Sequence, residues 1–324
     1  MKKRYQALSF WKKTAVNLTA VLVVYAAIMG LSAVGIVNKY YMGILLSTCI
    51  NIILVVSLNV TTGFLGQLTL GHAGFMAVGA YSAAFLSKNL SGLPDALVFI
   101  LALMVGGIVA MIFGVIVGVP TLRLKGDYLA IITLAFGEVI KNVLLNLDIV
   151  GGASGYIGIP RYSNFSWAYW LAVLTVGATM ALINSRQGRA IISVREDEIA
   201  AEASGIDTKR FKILAFVFAA FFAGVAGGLY GHYMGILEPK TFKFDKSIEI
   251  LVMVVLGGMG SIRGSVIAAI ILTVLPELLR SVASLRTLMY AIALIAMMLF
   301  KYDPNLVKMT AKVKNKFRKA GKSA

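Results

Sequence analysis

Cysteine and histidine are both scarce in this chain of 324 residues. The single cysteine, Cys49, excludes a disulfide bond within the chain. Two histidines, His72 and His232, are too few for a histidine-rich metal site, and no other cluster of metal ligands is visible in the sequence. No nucleophile stands in a pattern with a base either. We therefore expect neither a metal site nor a catalytic site, and no cofactor bound by this chain.

A loop that binds nucleotide phosphates is also missing. The residues Gly321, Lys322 and Ser323 resemble the end of such a loop. The full motif requires another glycine five residues before Gly321 and a preceding strand, but Lys316 stands at that position. If ATP drives the work of this protein, the nucleotide and its Mg²⁺ must be bound by another chain.

Hydrophobic runs, in contrast, fill the sequence, and 59% of the residues are apolar. Several uncharged runs exceed the roughly 18 residues that indicate a membrane-spanning helix. They predict an all-α polytopic membrane protein with about ten transmembrane helices, some of them short or broken. The candidate spans are 15–37, 42–60, 70–87, 96–119, 127–147, 167–184, 211–236, 247–262, 264–279 and 287–300. Residues 63–87 and 247–279 could instead contain re-entrant helices.

Basic residues outnumber acidic ones by 31 to 14, which gives a net charge of +17. Such a charge can indicate nucleic-acid binding, but here the Lys and Arg residues cluster at the ends of apolar runs, as the positive-inside rule requires. We predict a basic cytoplasmic N-terminus at 1–13, a transmembrane domain at 14–300 and a basic cytoplasmic tail at 301–324. The tail is expected to lie against membrane lipid, and no nucleic-acid partner is predicted.

One hydrophilic connection on the predicted cytoplasmic side has helix signals. Ser193 and Glu196 form a capping box, which predicts a helix near 194–204 that ends at Gly205. Asp207 is then the cap of the next helix. The apolar residues of this segment share one side at helical spacing: Ile192, Ile199, Ala203 and Ile206. Composition alone leaves two interpretations open, a helix that docks into a partner and a helix that floats on lipid headgroups.

Five blocks of the sequence resemble the LivM-type permease subunits of bacterial branched-chain amino acid ABC transporters. They are NVTTGFLGQLTLGHAGFMAVGAYSAA, LRLKGDYLAIITLAFGEVIKN, GGASGYIGIP, VREDEIAAEASGIDTKRFKILAFVFAAFFAGVAGGLYGH and LEPKTFKFDKSIEILVMVVLGGMGSIRGSVIAA. The resemblance extends from about residue 55 to 285, in order. It is closer to this subunit than to the LivH-type sister subunit.

This resemblance implies a non-catalytic importer subunit in the bacterial inner membrane. Its partners would be a LivH-type permease, two ATPase subunits that bind ATP and Mg²⁺, and a periplasmic or lipid-anchored substrate-binding protein. The resemblance also implies that the cytoplasmic helix inserts into a cleft of the ATPase. The coupling residues would be Glu198, Ala201, Glu202, Ala203 and Gly205. The family's glutamate-alanine-alanine box is only approximate here, with Glu202, Ala203 and Ser204 in its place.

Two further groups are candidates for intramembrane roles. Glycine breaks helices where backbone lines a cavity, or lets helices approach closely. The candidates for a translocation pathway are Gly66, Gln67, Thr69, Gly71 and His72, with a buried helix break as the alternative interpretation. Glu138 and Lys141 lie three residues apart on one helix face, which predicts an intramembrane ion pair or charges that face a cavity. The later run GVAGGLYGHYMG is predicted to serve helix packing.

The sequence therefore predicts a permease subunit that imports leucine, isoleucine and valine with energy supplied by separate ATPases. Two alternatives stay open. Related importers carry urea, short amides or other amino acids, and nothing in the sequence excludes these solutes. A stand-alone ion-coupled transporter would need no ATPase and would show two halves related by an internal repeat, of which no convincing sign is seen.

Overall fold

The computed structural model describes residues 10–35, 37–90, 92–121, 126–278 and 295. The chain is helical over most of this length, as the hydrophobic runs predicted. The helices are α1 (Phe10–Ala33), α2 (Lys39–Asn59), α3 (His72–Asn89), α4 (Asp95–Thr121), α5 (Asp127–Leu145), α6 (Phe165–Asn184), α7 (Arg186–Glu196), α8 (Glu198–Ala203), α9 (Thr208–Met234), α10 (Phe244–Gly257) and α11 (Ile262–Leu278).

Short elements connect these helices. α2 continues directly into a π-helical turn at Val60–Phe64, and 3₁₀ turns lie at Asp148–Val150, Gly152–Ser154 and Pro239–Phe242. Two short strands, β1 (Tyr156–Ile157) and β2 (Ile236–Leu237), pair in antiparallel orientation, with Tyr156 opposite Leu237.

Within the described part of the chain, five helical segments are long and apolar enough to cross a membrane. They are Lys39–Phe64, Asp95–Pro120, Tyr128–Leu145, Phe165–Asn184 and Thr208–Met234. An all-helical chain with several candidate spans is therefore confirmed. The helices α1, α3, α10 and α11 lie on four more of the predicted spans, whereas the predicted span 287–300 and the tail 301–324 fall outside the described residues. α1 begins at Phe10, inside the segment 1–13 that was predicted to precede the membrane.

Close backbone contacts join α3, α4 and α9 into the centre of the bundle. A Cβ atom added to Gly79 of α3 would lie 2.1 Å from the Cα of Gly224 in α9, and one on Gly227 would lie 2.0 Å from the Met76 carbonyl oxygen. A Cβ atom on Gly224 would lie 2.6 Å from the carbonyl oxygen of Gly106 in α4. Only glycine lets the three backbones approach this closely. The predicted packing role of the α9 glycines is confirmed.

His232 is a structural residue near the end of α9. It is fully buried, and its ring nitrogens lie 2.8 Å from the Gly228 carbonyl oxygen and 2.8 Å from Ser87 Oγ of α3. The Tyr162 ring stacks on the imidazole and the Phe99 ring meets it edge-on. Both ring nitrogens are thus engaged by neighbours, and His232 holds α3, α9 and the segment before α6 together.

α11 packs against α2 in antiparallel orientation through polar pairs. Asn51 Nδ2 donates to Thr273 Oγ1 at 2.9 Å, and Asn59 Nδ2 donates to Ser265 Oγ at 2.9 Å. α10, with 14 residues, precedes α11 and is separated from it by a turn at residues 258–261. At 1.5 Å per residue α10 reaches only about 21 Å, less than the thickness of a bilayer core. The sequence-predicted interruption between these two helices is therefore present.

Candidate coupling and pathway site

The non-helical segment 65–71 lies between the π-helical turn and α3. Where this segment joins α3, its backbone is hydrogen-bonded to side chains of neighbouring helices. The Leu70 amide donates to Thr133 Oγ1 of α5 at 3.0 Å, and the Ala73 amide donates to Ser247 Oγ of α10 at 3.1 Å. These side chains take up amides that the break in the helix leaves without a partner. Three helices of the bundle therefore meet at this segment.

The predicted pathway residues divide into two groups in the structure. Gly66 and Gln67 line an open cavity of about 320 Å³ beside the junction of α7 and α8. Thr69, Gly71 and His72 are buried. The first pair is accessible to a solute from the predicted cytoplasmic side, whereas the other three are packed among helices.

Two of the buried residues have close structural partners. His72 Nε2 lies 3.1 Å from Ser57 Oγ of α2. A Cβ atom on Gly71 would lie 2.4 Å from the carbonyl oxygen of Thr133, so α3 begins in direct backbone contact with α5. In this conformation Gly71 and His72 hold the helix break together.

The predicted cytoplasmic helix at 194–204 is divided in two in the structure, and its predicted boundaries are wrong. α7 ends at Glu196, and Asp197 has an extended backbone. Asp197 Oδ1 accepts hydrogen bonds from the amides of Ile199 at 2.9 Å and Ala200 at 3.0 Å. Asp197 is therefore the N-cap of a separate helix, α8, because its carboxylate satisfies the amides that begin a new helix.

Three residues of this segment were predicted to begin or end helices, and the structure shows what each of them does. Ser193 Oγ donates to the Ala190 carbonyl at 2.8 Å inside α7, so the predicted capping box is wrong. Gly205 has φ of +82°, the left-handed conformation predicted for the residue after the helix. Asp207 accepts a hydrogen bond from the Arg210 amide at 3.1 Å and caps α9, as predicted.

The five predicted coupling residues do not form one surface. Glu202, Ala203 and Gly205 are exposed. Ala201 is only 5% exposed and belongs to a cluster of apolar side chains beneath α8. Glu198 is partly buried and is engaged in an ion pair. The face that a partner could touch thus contains three of the five residues.

Ile199, which the sequence placed on the apolar side of this segment, lies on the surface. It is 75% exposed, and Ala203 on the same short helix is also exposed. Ile192 and Ile206 are instead partly buried against the inner apolar cluster. The prediction that these four residues share one side is wrong, because the break at Asp197 starts a new helix with its own orientation. Asp197 itself is the sequence signal that could have revealed this break, because aspartate is a preferred N-cap residue.

A buried ion pair fastens α8 to α9. Lys212 Nζ lies 2.6 Å from Glu198 Oε1, and the Lys212 side chain is 1% exposed. Charged side chains this deeply buried require a partner. The first residue of α8 is therefore fixed to the first turns of a long transmembrane helix.

Glu138 and Lys141, the predicted intramembrane pair, lie in contact on α5. The second carboxylate oxygen of Glu138, Oε1, accepts a hydrogen bond of 3.2 Å from the Phe244 amide, the first residue of α10. Amides at a helix start carry partial positive charge, which a carboxylate stabilises. Glu138 thus joins α5 to the start of α10.

The glycine-rich segment at 151–160 is anchored rather than loose. Lys88 Nζ donates to the Ile157 carbonyl at 2.9 Å and lies 4.5 Å from the centre of the Tyr156 ring. Burial raises the pKa of the Tyr156 hydroxyl above its ordinary value. The strand pair formed by β1 and β2 therefore forms a defined surface at the end of the bundle opposite α8.

Comparisons with known proteins agree with the resemblance seen in the sequence. The family described as branched-chain amino acid transport system / permease component matches residues 40–301. The high-affinity branched-chain amino acid transport system permease protein LivM of Escherichia coli strain K12 is 37% identical, over 81% of this chain and 69% of that protein. The permease protein LivH of the same strain is 26% identical, over 65% of this chain and 75% of that protein.

A more distant relative comes from an archaeon, and no solved structure matches the chain. The probable branched-chain amino acid transport permease protein LivM of Methanocaldococcus jannaschii is 28% identical, over 56% of each chain. The family match covers the helices from α2 onward, including the helix breaks and the α7–α8 junction. The chain therefore belongs to the family of permease components of branched-chain amino acid transport systems.

Proposed function

We propose that this chain is a transmembrane subunit of an ABC importer that carries leucine, isoleucine and valine across the bacterial inner membrane. A LivH-type permease completes the pathway, and two ATPase subunits bind ATP and Mg²⁺ on the cytoplasmic side. A periplasmic or lipid-anchored binding protein delivers the substrate. The observation that carries the proposal is the 37% identity to LivM over 81% of the chain.

The proposed topology has about ten spans with both termini in the cytoplasm. The distribution of Lys and Arg supports this orientation. It places α7 and α8 on the cytoplasmic side and the strand pair of β1 and β2 on the outside. The outer strand pair would then face the binding protein, and α8 would face the ATPase.

The proposed substrate class fits the character of the inner cavity. An amino acid with a branched side chain presents an ammonium group, a carboxylate and an apolar tail, so its route needs few but well-placed polar groups. The cavity beside α8 is lined by apolar residues such as Leu65 and Leu68 and by five charged residues, Arg195, Glu196, Asp197, Glu198 and Lys212. It therefore offers charged partners for the ammonium and carboxylate groups and an apolar wall for the tail. We propose that this cavity is the cytoplasmic end of the pathway.

Uptake measurements on the complete transporter test the substrate. The complex is placed in proteoliposomes with ATP inside and binding protein outside, and radiolabelled leucine and urea are compared. We expect ATP-dependent import of leucine and no import of urea. Import of urea without import of leucine would refute the assignment of the substrate and leave the family intact.

The exposed side of α8 is expected to be the contact with the ATPase. An aspartate at Ile199 would place a charge on the 75% exposed apolar residue of this helix. Because central apolar residues carry much of the binding energy of an interface, I199D should weaken recovery of the ATPase with the permease roughly tenfold or more. Co-purification in mild detergent measures this loss.

The matched control is Ile157→Asp, at an isoleucine that is 60% exposed on β1. Both substitutions are at the surface, so neither should lower the thermal stability of the permease appreciably. I157D should retain the ATPase. Equal recovery of the ATPase with both variants would remove α8 as the docking element.

A further inference from the structure

Arg195 connects the α7–α8 junction to a break in a transmembrane helix. It is the penultimate residue of α7. Its guanidinium donates from Nη1 to the carbonyl oxygen of Gly63 at 2.9 Å. Gly63 lies in the π-helical turn that ends α2, where the regular hydrogen-bonding pattern of the helix is interrupted.

Glycines form the slot in which the Arg195 side chain lies. A Cβ atom on Gly66 would lie 2.6 Å from Arg195 Cγ, and one on Gly260 would lie 3.1 Å from Arg195 Nη1. Gly66 and Gly260 have φ of +76° and +77°, a conformation that other residues adopt only with strain. The backbone conformation favours glycine at both positions, and the missing side chains leave room for Arg195, which comes from a distant part of the sequence.

The same guanidinium lies where two helix interruptions touch each other. A Cβ atom on Gly63 would lie 2.2 Å from the Gly260 nitrogen, so the π-helical turn contacts the turn between α10 and α11. Asn59 Oδ1 accepts a hydrogen bond of 2.9 Å from the Gly260 amide. These contacts make the end of α2 and the α10–α11 turn a single mechanical unit.

A second cavity, of about 400 Å³, opens beside this unit and is lined in part by Thr62 and Met259. The Thr62 side chain is buried, and among the residues that the structure describes its Oγ1 has no hydrogen-bond partner. A buried hydroxyl without a partner gains stabilisation if its segment rearranges so that a partner comes within reach. The π-helical turn therefore borders open space on this side rather than packed side chains.

We propose that Arg195 is a positioning residue that transmits movement of α8 to the breaks in α2 and between α10 and α11. The inference rests on the proposed role of α8 as the element moved by the ATPase. Asp197, which caps α8, is two residues from Arg195, so a shift of α8 displaces the guanidinium directly. A hydrogen bond from a cation to a carbonyl is strong enough to carry such a displacement, and it ends at a turn whose regular helical hydrogen bonding is already interrupted.

The test measures the leucine imported per ATP hydrolysed by the complete transporter in proteoliposomes. Arg195→Gln removes the charge, the hydrogen bond to Gly63 and the ion pair with Glu196, and should lower this ratio roughly tenfold, which lies within the usual range of coupling between two sites. Arg195→Lys retains a cation that can reach the carbonyl and should give an intermediate ratio. The control is Arg189→Gln, at an exposed arginine of α7 whose guanidinium contacts the nearby Asn184 carbonyl. R189Q should keep the ratio of the unaltered transporter.

Each result decides the proposal. An unchanged ratio in R195Q overturns it, and so does loss of the ATPase from an otherwise intact R195Q permease, because that would make Arg195 a docking residue. If R195Q does not assemble, the R195K variant provides the test. An unchanged ratio of leucine imported to ATP hydrolysed in R195K overturns the proposal, and a lowered ratio supports it. Failure of the proposed function would look different, because the unaltered transporter itself would then import no leucine.

Discussion

Valine at Gly79 is expected to prevent assembly of the transmembrane core. A Cβ atom there would lie 2.1 Å from Gly224 Cα and 2.4 Å from its carbonyl oxygen. Overpacking costs about 1–3 kcal/mol where side chains can shift. Here the obstacle is the backbone of α9, which cannot rotate away, so α3 and α9 must separate. We expect G79V to yield little or no monodisperse permease on size-exclusion chromatography in mild detergent.

Gly177 of α6 provides the matched control for this substitution. It is exposed, and a Cβ atom added there would have open space around it. G177V should therefore yield permease with the chromatographic profile and thermal stability of the unaltered protein. A well-assembled G79V permease, as stable as G177V, would contradict the packing of α3 against α9.

Loss of the Glu198 carboxylate is the second change with a large expected effect. Glu198→Leu leaves the ammonium group of Lys212, whose side chain is 1% exposed, without its ion-pair partner. Removing one partner of a buried pair costs about 3–5 kcal/mol, because the remaining charge stays out of water. We expect E198L to unfold at a clearly lower temperature in a thermal scan.

A second substitution separates lost stability from lost coupling. In the double variant Glu198→Leu with Lys212→Met the buried charge is gone, and most of the thermal stability should return. If Glu198 also contacts the ATPase, transport stays low in this stable variant. Glu249→Gln is the control at the more exposed pair of Lys246 and Glu249, where loss of the pair should cost less than about 1 kcal/mol. Equal destabilisation by E198L and E249Q would contradict the account of the buried pair.

The positions of most helices could be predicted because long apolar runs have few other solutions in a membrane. The span predicted at 211–236 follows α9 as far as Met234, and the one at 167–184 ends with α6. The starts of the helices were less well predicted, since α9 already begins at Thr208 with polar residues. Hydrophobicity predicts only the part of a helix that lies in lipid. It does not predict the polar helical turns that extend beyond the membrane.

The coupling segment shows why local signals can mislead. Two capping signals compete within a few residues, and the structure uses Asp197 rather than Ser193. Composition cannot rank them, because both serine and aspartate are good N-caps. The break then decides which side chains are exposed: Ile199 lies on the surface, whereas Ile192 and Ile206, which were predicted to share its side, pack against the inner apolar cluster.

The glycines show a different limit of the sequence. Their spacing indicated helix breaks and close packing, but not the partners in space. Gly79 packs against the backbone of Gly224, and Gly66 leaves room for the side chain of Arg195; in each pair the two residues come from separate parts of the chain. Such pairs form only through tertiary packing, so they cannot be predicted from a short stretch of sequence.

The central claim is that this chain is a passive gate that an ATPase on other chains opens and closes. The most direct measurement compares leucine uptake into proteoliposomes that hold both permease subunits, with and without the ATPase subunits and ATP. The account predicts accumulation against the gradient only when ATPase and ATP are both present. Accumulation by the permease subunits alone would contradict it.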